Sequence, residues 1–84
     1  MSNRVKYKSE VMERFTQWLL WEMQKRQMKR IELAAELALD HSTISYKFET
    51  NRWRPDQMMS IFNLFDASAD TIFTIMRGKK HEAK

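Results

Sequence analysis

The stretch Arg30-Ile31-Glu32-Leu33-Ala34-Ala35-Glu36-Leu37-Ala38-Leu39-Asp40-His41-Ser42-Thr43-Ile44-Ser45 decides how this chain is read. Ile31, Leu33, Ala34 and Leu37 recur at helical spacing and predict a helix over about 30–38. Asp40 then stands where an N-cap belongs, and a second helix follows over about 41–49 with Ile44 and Phe48 on one face. Two short helices joined by about three residues, with a small residue in the first, make a helix-turn-helix pattern. Ala34 falls where the two helices cross, because a small side chain lets them approach. Leu33, Leu37, Leu39 and Ile44 fill the angle between them. The outward side of the second helix is then left without core duty.

Outward from this pair, the rest of the chain also reads as helix. Ser9 caps a first helix whose Val11, Phe15, Trp18, Leu19 and Met23 form an apolar stripe. Leu20 and Trp21 fall outside that stripe and are expected to pack under an N-terminal arm or the last helix, with a self-association surface as the other reading. Thr50-Asn51 ends the helix after Asp40, Asn being suited to a left-handed C-cap. Arg52-Trp53-Arg54 is a short basic loop, and Pro55 opens a fourth helix carrying Met58, Ile61, Phe62 and Phe65 inward. Ser68 caps a fifth, with Ile72, Phe73, Ile75 and Met76 as its apolar face. The fold class is therefore all-α, a compact bundle of about five helices containing the helix-turn-helix. A single domain over 1–84 is expected, ordered from about 8 to 77, with polar, basic, frayed ends.

Composition bounds the function. The 84 residues include one Gly, one Pro and no Cys, which leaves no disulfide, thiolate zinc site or thiol nucleophile. The longest apolar run near the start, Trp18-Leu19-Leu20-Trp21, falls far short of a membrane span, and no signal peptide is apparent. A cytoplasmic protein without membrane contact is expected. Fifteen Lys and Arg against eleven Asp and Glu give a net charge of +4, which fits a polyanionic partner.

The same residues resemble the lambda-repressor and Cro family of phage and bacterial transcriptional regulators. Leu33-Ala34 through Ser42-Thr43-Ile44-Ser45 is similar to that family's "LAxxLxVxxSTIS" core, and Phe65-Asp66-Ala67-Ser68-Ala69-Asp70-Thr71-Ile72-Phe73 to its "LGVSxDEL" segment. The resemblance covers about 27–76. It departs at Ala38 and Thr50, where the family has Gly, at Lys29 in place of a Ser or Thr cap, at Arg30 in place of Gln, and at Lys47, usually apolar. Lys47 must then snorkel past Phe48 or point at phosphate.

The resemblance implies a sequence-specific regulator of phage-repressor type, binding double-stranded DNA as a homodimer on a palindromic operator. It implies that His41, Ser42 and Tyr46 read base edges. Helical geometry turns Ser42, Tyr46 and Glu49 outward with Thr43 and Ser45 beside them, so all five of His41, Ser42, Thr43, Ser45 and Tyr46 are base-reading candidates. Arg30, Lys47, Asn51, Arg52 and Arg54 are the candidate phosphate clamps. Trp53 is read chiefly as a buried wedge, the alternative being a stack on sugar-phosphate. The dimer surface is expected on helix 5 or on the Trp21 side of helix 1.

Catalysis is not expected. His41 and His81 are far apart in sequence, without a carboxylate pair, Gly-rich phosphate loop or metal-ligand spacing; no cofactor, metal or small-molecule substrate is implied. The rival is a helical protein-interaction module, an antitoxin-like or anti-regulator subunit on the same fold, to which seven Met lend some support.

Overall fold

The computed structural model describes residues 9–78. The chain forms five helices in order: α1 (Glu10–Lys25), α2 (Arg30–Glu36), α3 (His41–Thr50), α4 (Pro55–Leu64) and α5 (Ala69–Arg77). The expected frayed ends lie outside the described residues, except Gly78, which is buried beside Arg14 and whose N–H donates to the Thr74 carbonyl at 2.7 Å.

Local capping chemistry sets the helix starts. Ser9, Asp40 and Ser68 accept from the backbone N–H groups of Met12, Thr43 and Thr71. Lys29 and Arg54 have no such acceptor. There the third helical residue reaches back instead, the Lys29 N–H donating to Glu32 Oε1 at 2.6 Å and the Arg54 N–H to Gln57 Oε1 at 3.0 Å.

Three of the links between helices share one backbone form. Arg26, Leu37 and Phe65 close their helices near φ −96°, ψ 2°, and Gln27, Ala38 and Asp66 follow in the left-handed region at φ 53°, 57° and 54°. The next N–H returns to a carbonyl five residues back: Met28 to Met23, Leu39 to Ala34 and Ala67 to Phe62, at 2.9, 2.8 and 2.9 Å. Each is a Schellman turn made without glycine. Helix α2 consequently stops at Glu36, two residues before the expected Ala38, because Ala38 is the left-handed residue of its turn.

Packing gathers Phe15, Leu19 and Met23 of α1, Leu33 and Ala34 of α2, Ile44 and Phe48 of α3, Met58, Ile61 and Phe62 of α4 and Ile75 of α5 into one core with Trp53 and Phe65. Aromatic rings link its parts. Phe48 meets Trp53 edge-on at 5.1 Å, Trp53 meets Phe15 at 5.5 Å, and Phe15 meets Phe62 at 5.4 Å. Trp53 is thus the wedge rather than a surface stack, and its indole N–H donates to Thr16 Oγ1 at 2.9 Å. That bond explains a buried threonine on α1.

Two apolar expectations need correction. Leu20 and Trp21 are exposed, Trp21 by 60%, and are not covered as expected. On α5, Phe73 and Met76 are 56% and 49% exposed. This helix packs chiefly against α1 through a narrow line containing Ile72 and Ile75, and 100° per residue carries Phe73 and Met76 off it.

Candidate nucleic-acid interface

Helix α3 has an anchored side and an open one. Ile44 is fully buried, Phe48 nearly so, and Thr50 turns its Oγ1 to the Tyr46 carbonyl at 2.7 Å. Opposite them, His41, Ser42, Tyr46 and Glu49 are exposed, with Thr43 and Ser45 half-buried between. Of the five base-reading candidates, His41, Ser42 and Tyr46 lie on the open side, Tyr46 40% exposed, and Thr43 and Ser45 sit half-buried at its edges.

The tip of the helix is held electrostatically. Asp40 accepts from the Thr43 N–H at 2.8 Å and from the Ser42 hydroxyl at 3.2 Å. Hydrogen bonds from Thr43, first its side chain and then its backbone, together with Ser42 and the nearby His41, hold the Asp40 carboxyl below the usual aspartate range, outweighing a small opposing effect of burial.

The cations divide. Arg30 lies with its guanidinium over the Phe48 ring at 4.5 Å, which fixes it beside α3 from the start of α2. Arg52 and Arg54 are exposed in the link after α3, Arg54 paired with the exposed Asp56 at 3.1 Å. Asn51 and Lys47 do not share that rim. Asn51 is the left-handed C-cap at φ 59°, buried, with its N–H on the Lys47 carbonyl at 2.9 Å. Lys47 turns inward, 9% exposed, and its ammonium donates to the Arg52 carbonyl at 3.3 Å. The usually apolar position marks Lys47 as anomalous in the sequence without giving its direction. Lys25 and Arg26, at the end of α1, are tied to Glu22 and stand apart from this group. Burial disfavours the Glu22 carboxylate, and hydrogen bonds and charge from Arg26 and Lys25 overcome it, so its pKa is lowered.

Two clefts differ in charge. One, of about 720 Å³, runs between α1 and α5 with Trp18 and Ile75 inside and Glu10, Glu13 and Asp70 around them; its single cation, Arg14, donates to the Ile75 carbonyl at 2.8 Å. The other, of about 360 Å³, is bounded by Met12, Tyr46, Lys47, Arg52, Trp53 and Arg54 and contains no carboxylate. The smaller cleft is the one suited to anions. Among the described residues no three His, Asp or Glu side chains gather as metal ligands would, and no helix is long and apolar enough to cross a membrane. His81 lies outside the described residues.

No protein-family model, curated protein or solved structure matches the chain.

Proposed function

We propose that this protein binds double-stranded DNA in a sequence-specific way as a transcriptional regulator of repressor type, with α2 and α3 as a helix-turn-helix. The observation that carries the reading is the two-sidedness of α3. Its inner side is locked by Ile44 and Phe48, and its outer side presents His41, Ser42 and Tyr46, with Thr43 and Ser45 half-buried at the edges, beside the exposed Arg30, Arg52 and Arg54. Hydroxyls and an imidazole can donate to or accept from base edges in a major groove, and the Tyr46 ring can lie against a thymine methyl. The arginines on either flank reach phosphates.

One such helix reads few base pairs, so a homodimer on an inverted repeat completes the proposal. The exposed Phe73 and Met76 of α5 and Trp21 of α1 supply apolar surface for that contact. The same surface favours the second reading, a protein-interaction module, and selection on random duplexes separates the two. The DNA reading expects an enriched inverted repeat with half-sites about one helical turn apart, ~34 Å. Tyr46→Ala should then lose base preference at one position of each half-site and keep salt-sensitive binding. Failure to enrich any sequence removes the DNA reading.

A further inference from the structure

We propose that the groove between α1 and α5 is a docking site for a basic peptide segment of a partner protein, one that lays an apolar side chain on Trp18 between two cations. The inference stands apart from the DNA reading and concerns a different pair of helices.

The groove has a fixed apolar floor. Trp18 is half-buried, and Phe15, Phe62 and Phe65 pack against its ring with centroids 5.8, 5.3 and 6.0 Å away. Three rings holding a fourth make it a rigid platform, and Ile75 lies beside it. The volume of about 720 Å³ falls within the ~300–1,000 Å³ of ligand pockets.

The walls are acidic in a chain whose net charge is +4. Arg14, the one cation lining the groove, is committed within the protein. Its Nε donates to the Ile75 carbonyl at 2.8 Å, its Nη1 stands 3.7 Å from Glu10 Oε1, and its guanidinium lies close beside Gly78. Helix dipoles favour acidic residues in first turns, which accounts for Glu10 and Glu13 of α1 and Asp70 of α5 taken singly. They do not account for those turns meeting at one apolar groove. Arg14 meets the end of α5, and Trp18 meets Phe65 just before its start, so the helices run in opposite directions. Asp70 therefore stands toward the opposite end of the groove from Glu10.

That arrangement selects the occupant by charge. Glu10 to Trp18 spans ~12 Å at the helical rise, the length of about four extended residues. An extended chain turns alternate side chains to one face, so a cation, an apolar residue and a second cation at every other position reach the carboxylates and Trp18 together. Lysine or arginine stems add apolar contact on the way. A second copy related by a two-fold axis would bring the same carboxylates against themselves, which opposes that occupant.

The probe is the acetylated peptide amide Lys-Ser-Leu-Ser-Lys, with Glu-Ser-Leu-Ser-Glu as its control at matched ionic strength, titrated into the full chain by NMR. The basic peptide should shift the Trp18 indole N–H and the Thr71 and Thr74 amides saturably, and the acidic peptide should not. Glu13→Gln combined with Asp70→Asn, both on exposed side chains, should weaken the basic peptide about three- to tenfold, the loss of two exposed ion pairs. Serine in place of the probe's leucine should weaken it by about tenfold or more. No saturable shift, or binding indifferent to the leucine, overturns the docking site. Groove resonances that move when the free protein is diluted assign the face to a second copy. Resonances that move when Arg4, Lys6 and Lys8 are all changed to glutamine assign it to this chain's own residues 1–8; either result overturns the partner. None of these outcomes touches the duplex selection that tests α3.

Discussion

Each pair of successive helices is joined by four residues, yet the links are held in two different ways. Those after α1, α2 and α4 are backbone devices: the same C-cap angles, the same left-handed second residue and the same returning N–H. Their left-handed residues, Gln27, Ala38 and Asp66, are exposed. The link after α3 is built from side chains. Asn51 and Trp53 are buried, the Lys47 ammonium holds the Arg52 carbonyl, and the Trp53 indole is tied to α1. Backbone turns set direction and leave their left-handed residues to solvent. The side-chain link leaves Arg52 and Arg54 exposed on a fixed base.

Breaking the side-chain link has the largest expected effect. Trp53→Ala removes a ring packed between Phe15 and Phe48 together with a buried hydrogen bond, and should lower stability by about 3–5 kcal/mol in urea unfolding. For a domain of this size that is a large part of the total. A loss below about 1 kcal/mol, the range of a surface change, would mean that the link is held by its backbone after all.

The backbone turns respond in the opposite direction. Alanine in the left-handed region costs about 1 kcal/mol that glycine does not pay, so Ala38→Gly should raise stability by up to that amount, or about 4–8 °C in Tm. Asn51→Gly in the other link should lower it instead. Asparagine tolerates the left-handed conformation, and truncating it empties buried space. Matching signs for the two glycine variants, measured by thermal melting, would erase the distinction between the links.

The contrast also explains what was legible in the sequence. Ser9, Asp40, Asn51, Pro55 and Ser68 could be placed because caps act over three or four residues and use few residue types. The inward positions of Leu33, Ile44, Ile61 and Phe62 followed from helical spacing. Alanine itself carries no left-handed signal, and Ala38 stands out only because the resembled family has Gly there; the turn is imposed by the packing of Leu39 and by the Leu39 N–H on Ala34. The Trp53–Thr16 bond spans 37 residues, and local pattern is blind to that distance. Buried tryptophan does demand an acceptor, which was a usable signal. Lys47 was legible as an anomaly but not in its direction, because a lysine beside Phe48 can snorkel or fold in. The open side of α3 was legible, since anchoring one side of a short helix leaves the other to solvent.

The smallest effect separates two caps that do the same work with different chemistry. Asp40 and Ser68 each accept from the third residue of the following helix, at 2.8 and 3.1 Å, but Asp40 alone carries a charge. Its pKa is lower folded than unfolded, so its contribution is fully present above roughly pH 4 and is lost as the pH falls through the depressed value. Asp40→Ser keeps a cap and discards the titration. The parent should therefore lose protection of the Thr43 amide toward hydrogen exchange over that acid window, while Asp40→Ser and the Thr71 amide of either protein do not. Equal acid sensitivity at Thr43 and Thr71 would show that the start of α3 owes nothing to the carboxylate. Because His41 and Ser42 sit on the turn that Asp40 holds, duplex selection by α3 should weaken over the same window.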